Sequence, residues 1–213
     1  MNLILVHPED LHGDGVCRLR GRRFDHIRDV HRAELGTRLR VGLVHGGIGT
    51  GVVFEISESE VTLQVTFTQE PPPPLPLTLI LGLPRPRMLK RTLQSVAAMG
   101  VKRLILLNGY RVDKSYWQTP VLTEQGLAEH LQLGLEQAVD TVLPEVLLRK
   151  RFKPFVEDEL PDIAKGTRGL VAHPYNAGDL PQAEATPTTL AIGPEGGFIP
   201  YEVEKLSQAG LVP

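Results

Sequence analysis

The chain has 213 residues, of which 41% are hydrophobic and 23% charged, and its formal net charge is −2 at pH 7. This composition is typical of a soluble globular protein, and the length suits one large domain or two ordinary ones. No window approaches about 18 consecutive apolar residues, which excludes a membrane-spanning helix, and a single cysteine excludes an internal disulfide. The N-terminal segment lacks the basic start of a signal peptide, so we predict a cytoplasmic protein.

Basic residues are concentrated in three stretches of the chain. Eight arginines lie between Arg18 and Arg40 against three acids, and residues 76–112 hold seven basic residues and no acid. The third stretch is RKRFK at 149–153. Each stretch alone is compatible with a solvated surface, but two arginine-rich segments with little compensating acid favour a polyanionic partner.

The segment before residue 69 is predicted to be mostly β-structure with one helix. The helix, RRFDHIRDVHRAEL, places Phe24, Ile27, Val30 and His31 on one face. Strands are predicted at MNLILV, VCRLR, TRLRVGLV, GTGVVFEI and EVTLQVTF. Five strands and one helix favour a small β-barrel, because closure removes the exposed edges of a short sheet.

A proline-rich stretch, QEPPPPLPL at 69–77, separates this segment from the rest of the chain. Four consecutive prolines favour extended polyproline II and are incompatible with a helix or a central strand. We therefore predict a first domain at 1–68, a semi-rigid linker at 69–76 and a second domain at 77–213.

The second domain is predicted to alternate strands with helices. Apolar strands are predicted at LTLILGL (77–83), VKRLILLN (101–108), GLVAHP (169–174) and TTLAIGP (188–194). Helices are predicted at PRMLKRTLQSVAAMG, at QGLAEHLQLGLEQAVD and from about residue 199 to residue 210. This alternation is typical of a doubly wound parallel α/β sheet.

Two loops leave the carboxyl ends of predicted strands, AHPYNAGD at 172–179 and IGPEGGF at 192–198. Ligands of open parallel sheets bind at that edge. Gly193, Gly196 and Gly197 allow a ligand to approach the backbone closely, and the helix that follows favours an anion or a carboxylate. The pattern is neither GxGxxG nor GxxxxGK[ST], which argues against dinucleotide and Walker-type sites. A strained turn without a ligand is the alternative.

The other candidate motifs are weaker. No HExxH spacing joins the seven histidines, so we predict no metal site, and no GxSxG motif indicates a nucleophilic hydrolase. Tyr116 and Trp117 lie beside Lys114 and suit either stacking on a base or packing in the core. No residue is identified as catalytic from these patterns.

Several segments together resemble the RsmE family of 16S rRNA uridine N3-methyltransferases, in the SPOUT superfamily. They are IGPEGGF, the upstream AHP, LEQA..TVLPEV (135–146), QSVAAMGVKRL (94–104) and HIRDVHRAELG..LRVG (26–42). The resemblance covers nearly the whole chain. It implies an α/β fold in which a SPOUT-type trefoil-knotted parallel-sheet domain follows a small PUA-like β-barrel. It also implies a homodimer with the active site at its interface.

The resemblance implies methylation of N3 of a uridine in the 16S rRNA of the small ribosomal subunit, with S-adenosylmethionine as the cofactor. The implied cofactor-binding residues form two loops, namely Ala172, His173 and Pro174, and Gly193, Pro194, Glu195, Gly196 and Gly197. The candidates for RNA contact are Arg18, Arg20, Arg22, Arg23, Arg28 and Arg32. Because N3 of uridine is only weakly acidic, a basic residue or an arginine is expected to assist loss of its proton.

The sequence departs from the family pattern at several positions. Ser95 and Ala98 stand where the family has Lys and Glu, and Asp140 stands where it has Arg. The chain ends at Pro213, before the Gly-Arg-Ile-Leu-Arg-Glu-Thr-Ala-like run that supplies the last knot strand, so we expect a truncated chain or an incomplete knot. Two further interpretations stay open, a catalytically silent RNA-binding protein of the same fold and a nucleotide-binding metabolic enzyme.

Overall fold

The computed structural model describes residues 2–174, 178 and 185–213. The chain forms two compact units, one made of residues up to 73 together with 132–143, and the other of residues 74–131 and 144–213. The first unit is therefore discontinuous in sequence, and it includes a segment that lies inside the second domain as predicted from the sequence.

The first unit contains a six-stranded mixed sheet, one complete α-helix and the end of another. Its strands are β1 (Ile4–Val6), β2 (Leu11–His12), β3 (Val16–Arg20), β4 (Arg38–Leu43), β5 (Ile48–Ile56) and β6 (Glu60–Gln69), and its helix is α1 (Gly21–Asp29). The strand order is β1-β4-β5-β6-β3-β2. Strand β1 is parallel to β4 and the other pairs are antiparallel. The five strands predicted from the sequence are confirmed, and the short β2 is additional.

One apolar core organises this sheet. Ile4 of β1 and Leu19 of β3 belong to the same buried cluster, although their strands lie near opposite ends of the strand order. The sheet must therefore curl around that cluster, onto which α1 packs Phe24 and Ile27. Among the described residues no pairing joins β1 to β2, so the closed, PUA-like barrel stays a prediction.

Helix α1 ends earlier than the sequence pattern indicates. The predicted helix continues to residue 35, whereas α1 ends at Asp29 and Arg32 adopts a φ of 49°. A non-glycine residue with positive φ cannot continue a right-handed helix. Val30, predicted to share the apolar face, is 64% exposed.

Residues 132–143 are tied to the first unit by hydrogen bonds. The backbone N–H groups of Asn2 and Leu3 both donate to the carbonyl oxygen of Glu136, at 3.0 Å. The Thr141 hydroxyl donates to the Gly46 carbonyl at 2.6 Å, and the His45 N–H donates to the Thr141 carbonyl at 2.9 Å. This segment therefore belongs to the fold of the first unit.

The second unit is built on a five-stranded parallel sheet. Its strands are β7 (Leu75–Gly82), β8 (Val101–Leu107), β9 (Glu145–Arg149), β10 (Arg168–Ala172) and β11 (Thr188–Ile192), in the order β10-β11-β7-β8-β9. The helices that begin in this unit are α2 (Pro86–Ala98), α3 (Glu124–Ala138), α4 (Phe152–Pro154), α5 (Leu160–Ala164) and α6 (Pro200–Gln208), with a π-helical turn at Phe155–Glu159. Helix α3 continues into the first unit.

The predicted parallel α/β sheet is confirmed, with one strand more than the sequence pattern indicates. Strand β9 was missed because EVLLR is short and half-buried and runs directly into basic residues. At the other edge Leu170 of β10 bridges Val212 in parallel, so the residues after α6 extend the sheet. The trefoil knot implied by the resemblance stays a prediction.

The prolines between the two sheets carry no regular structure. Residues 70–74 connect β6 to β7, which starts at Leu75. Within the part of the chain that the structure describes, no helix has both the length and the apolar character needed to cross a membrane.

Candidate active site

The glycine loop lies where three parallel strands end together. Ile192, the last residue of β11, is in register with Ala172 of β10 on one side and with Leu81 of β7 on the other. The loop at 193–198 therefore leaves the sheet between the chain that continues to His173 and the chain that follows β7. The two loops predicted to bind the cofactor are adjacent at this carboxyl edge.

A tight turn shapes the loop. The Gly197 N–H donates to the Pro194 carbonyl at 2.7 Å, and Gly197 has a φ of 72°. Glycine adopts this left-handed conformation without the steric cost that other residues bear. Phe198, only 3% exposed, packs in the core of the second unit and anchors the far end of the loop.

Close packing against β7 fixes the near end of the loop. A Cβ atom added to Gly82 would lie 2.4 Å from Cδ of Pro194, a separation that real atoms do not adopt. Gly82 therefore has to be glycine for Pro194 to sit against the end of β7. The sequence pattern did not predict this contact between Gly82 and Pro194, which are more than a hundred positions apart.

Glu195 joins the glycine loop to the loop after β7. Its Oε1 accepts hydrogen bonds from the Arg85 backbone N–H at 3.1 Å and from Arg85 Nε at 3.2 Å. Partial burial acts to raise the pKa of Glu195. This effect is smaller than the combined effect of the hydrogen bonds from the backbone N–H groups of Glu195 and Arg85 and of the Arg85 charge, so the pKa is lowered. Glu195 is therefore ionised at neutral pH and holds Arg85 in place.

Arg111 joins the same loop to the segment after β8. Its guanidinium donates a short hydrogen bond to the Gly196 carbonyl. A Cβ atom on Gly196 would lie 2.9 Å from Cδ of Arg111, so a glycine at this position lets the arginine cross the loop. Two cations, Arg85 and Arg111, thus flank the glycine loop.

A buried carboxylate fixes the start of α6. Glu202 is only 3% exposed, and its two oxygens accept hydrogen bonds from the backbone N–H groups of Tyr110 and Ile199, at 2.7 and 2.9 Å. A carboxylate in the first turn also interacts favourably with the helix dipole. Glu202 thereby connects α6 to the segment after β8, a role that the sequence pattern did not reveal.

The second predicted cofactor loop is described only at its start. Ala172 and Pro174 are exposed and His173 is half-buried. Residues 175–177 and 179–184 lie outside the described residues, and with them most of the predicted AHPYNAGD loop.

Most arginines predicted to contact RNA are engaged by carboxylates. Nε of Arg18 and Nε of Arg20 lie 4.0 and 2.5 Å from Glu60. The Arg28 guanidinium pairs with Asp25 and Asp29.

Arg22 and Arg23 form two-pronged ion pairs. The Arg22 guanidinium donates to Glu136, which is 1% exposed, at 2.9 and 2.8 Å. Arg23 donates twice to Asp10 and once to the Leu5 carbonyl. These contacts stabilise the first unit. Arg32 is exposed and forms no ion pair with the described residues.

The residues that depart from the family pattern differ in burial. Ser95 and Ala98 lie on the exposed side of α2. Asp140 is 2% exposed, and its Oδ1 accepts a hydrogen bond from the Val142 N–H at 3.0 Å, so it shapes the turn after α3. Among the described residues no three His, Cys, Asp or Glu side chains are grouped as metal ligands.

The fold and the glycine loop define an α/β protein with a candidate ligand site at the carboxyl edge of a parallel sheet. Residues 71–213 match the RNA methyltransferase domain family, and the chain belongs to that family. The resemblance noted from the sequence is thereby confirmed.

Two bacterial proteins are similar in sequence. Ribosomal RNA small subunit methyltransferase E of Treponema pallidum is 28% identical over 157 residues, which cover 73% of this chain and 59% of the relative. Ribosomal RNA small subunit methyltransferase E 1 of Borreliella burgdorferi is 24% identical over 132 residues, or 61% of this chain and 54% of the relative. The chain thus spans between half and three fifths of the lengths of these relatives.

Solved structures share the fold at low sequence identity. The Neisseria gonorrhoeae ribosomal RNA small subunit methyltransferase E, bound to S-adenosyl methionine, has a TM-score of 0.75 at 18% identity, with all of this chain and 87% of that chain covered. A Legionella pneumophila structure, described as a methyltransferase in complex with SAM, has a TM-score of 0.73 at 22% identity and coverages of 100% and 88%. The architecture described above is therefore that of these proteins.

Proposed function

We propose that this chain binds S-adenosylmethionine and methylates N3 of a uridine in the 16S rRNA of the small ribosomal subunit. The observation that supports it most directly is the glycine loop, which is held by contacts with the segments after β7 and β8. The names of the relatives support the small-subunit rRNA as the substrate. The cofactor present in the neighbouring structures supports S-adenosylmethionine.

The residues of the glycine loop fit such a cofactor. A Cβ atom on Gly197 would meet no atom within 4 Å, so the space outside this residue is open and the backbone is bare. Gly193 to Gly197 would hold the cofactor on one side, and Ala172, His173 and Pro174 on the other. When bound, the cofactor supplies an electrophilic methyl group on a sulfonium.

The chain's own task is to handle the uridine. The new bond would join the methyl carbon to N3 as the bond from that carbon to the sulfonium sulfur breaks, and the N3 proton would pass to solvent so that the methylated base is neutral. Arg85 and Arg111, at the rim of the loop, would stabilise the negative charge that develops on the base, because pre-positioned cations act strongly where water is excluded. Glu195 would position Arg85 rather than transfer a proton, since its carboxylate is occupied by that arginine.

The remaining features are proposed on the resemblance. The first unit would contact the rRNA as a PUA-like domain, the protein would act as a homodimer, and it would function in the cytoplasm. Of the six arginines, Arg32 is the best candidate for RNA contact, because it forms no ion pair with the described residues and the other five are engaged by carboxylates.

The test is transfer of labelled methyl groups to small ribosomal subunits that lack the modification. We expect label at N3 of one uridine, and a loss of at least about tenfold in transfer for Gly196→Val, which would displace Arg111. Glu195→Ala should reduce transfer less, because it removes one contact of Arg85. An RNA complex that forms without any transfer or cofactor binding would contradict the proposal and favour the catalytically silent RNA-binding protein.

A further inference from the structure

A cavity beside Trp117 takes no part in the glycine-loop site. It has a volume of about 400 Å³, within the range of small-molecule sites. It lies at the carboxyl end of β9, the edge strand of the parallel sheet, and its walls include Trp117, Thr119, Pro120, Leu122, Leu148 and Lys150. The cavity is formed entirely by the second unit.

Trp117 is held rigidly at the wall of this cavity. Its indole N–H donates to the side-chain oxygen of Asn108 at 2.9 Å. It lies in a 3₁₀-helix, Lys114–Gln118, whose start is capped by Asp113 through a 2.8 Å hydrogen bond from the Ser115 N–H. Trp117 is half-buried and does not belong to the core, so one of the two alternatives left by the sequence, core packing, is not what the structure shows.

The rim of the cavity carries a positive charge that no carboxylate of the described residues pairs with. Lys150 is exposed, and its Nζ lies 5.8 Å from the centre of the Trp117 ring. Lys150 and Arg151 form no ion pair with any residue that the structure describes, although Arg149 beside them pairs with Glu159 at 2.7 Å. An aromatic wall therefore stands next to one unpaired cation, Lys150, with Arg151 following it in the chain.

Asn108, the hydrogen-bond partner of Trp117, connects the wall of this cavity to a neighbouring one. The same residue lines a second cavity of about 240 Å³, together with Tyr110, Phe152, Tyr201 and Glu202. Tyr110 is 81% exposed and Tyr201 46% exposed. Aromatic side chains thus line both cavities, and Asn108 links the two.

We propose that the Trp117 cavity holds the base of an unpaired RNA nucleotide, stacked on the indole, while Lys150 contacts the phosphate backbone. The inference rests on the proposed function in taking RNA as the substrate. Aromatic platforms beside cations are the usual means of binding single-stranded RNA, because every base has a face that can stack. A base inside a duplex is already stacked and does not reach such a platform. The nucleotide held here would flank the target uridine.

Trp117 is the single tryptophan of the 213-residue chain, so the intrinsic tryptophan emission reports on this cavity alone. The test titrates the chain with an end-labelled oligouridylate of about ten nucleotides, within the site sizes typical of single-strand binding. Label anisotropy measures total binding, and tryptophan emission measures occupancy of the cavity. We expect saturable quenching with the same midpoint as the anisotropy change, and neither signal for a duplex of equal length at the same concentrations.

Variants separate stacking from charge. Trp117→Ala should weaken oligouridylate binding at least about fivefold, and Trp117→Phe should weaken it less. Lys150→Ala should weaken the binding measured by both signals severalfold. Because Lys150 is exposed, this substitution leaves the packing of the core unchanged. Lys165→Ala is the matched control, since this exposed lysine precedes β10 at the opposite, amino edge of the sheet, and it should leave both signals unchanged.

Anisotropy that rises without quenching would overturn the inference, because the RNA would then bind elsewhere. Absence of binding altogether, or equal quenching by the duplex, would overturn it as well. Failure of the proposed function is seen separately in the methyl-transfer assay. Quenching without transfer contradicts the proposed function alone, and transfer without quenching contradicts this inference alone.

Discussion

Two basic regions of the molecule differ in whether their cations are paired with carboxylates. In the first unit, five of the six arginines predicted to contact RNA are paired with carboxylates, which are Asp10, Asp25, Asp29, Glu60 and Glu136. After β9, Lys150 and Arg151 form no ion pair with the described residues. A cation with a carboxylate partner contributes little to the field that attracts a polyanion. Carboxylates therefore neutralise most of the six arginines predicted to contact RNA, whereas Lys150 and Arg151 keep their charge.

The largest effect that this comparison predicts is on stability. Arg22→Ala should lower the free energy of unfolding by about 2 kcal/mol, because it leaves the buried carboxylate of Glu136 without its partner. The loss is smaller than for a fully buried ion pair because the Arg22 side chain is half-exposed. Urea unfolding measures it. Arg28→Ala is the control, since its partners are exposed, and equal losses for both variants would contradict the distinction.

A second prediction concerns the salt dependence of RNA binding. Replacing Lys150 and Arg151 together by glutamate should reduce the slope of log K against log salt by up to about 2, since each cation that contacts a phosphate contributes about one. Arg28→Glu should change the slope little, because Arg28 is already neutralised by two aspartates. Binding of small ribosomal subunits over a salt series measures both slopes. A larger change for Arg28 would reverse the ranking of the two regions.

The smallest expected effect is the pH dependence of the Arg85–Glu195 contact. Because the pKa of Glu195 is lowered in the folded state, its contribution to stability is present above the usual glutamate pKa of about 4.3 and is lost as the pH falls below that value. The difference in Tm between the wild type and Glu195→Gln should be visible at pH 7 and vanish in acid. A difference that stays constant down to pH 3 would show that the carboxylate charge is not involved.

The sequence predicted what depends on local pattern. Apolar runs gave the parallel strands, and IGPEGGF gave the glycine loop, because both signals are contained in a few consecutive residues. Pairings across long separations were not predictable, such as Arg22 with Glu136, which are 114 positions apart. Gly82 looked like an ordinary strand residue until the structure placed Pro194 against it. Trp117 was left undecided because its setting depends on Asn108 and Lys150, which lie on other segments.

Residues 132–143 have a consequence for any attempt to divide the protein. They lie in the chain between β8 and β9 of the second unit, yet they complete the first, so no single cut releases either unit whole. A fragment beginning after the proline stretch would carry the end of α3 without its partners, with the Glu136 carboxylate separated from Arg22. The amino-terminal portion alone would lose the acceptor of the Asn2 and Leu3 amides. Neither unit can therefore be deleted, exchanged or fused to another protein as one continuous stretch of sequence.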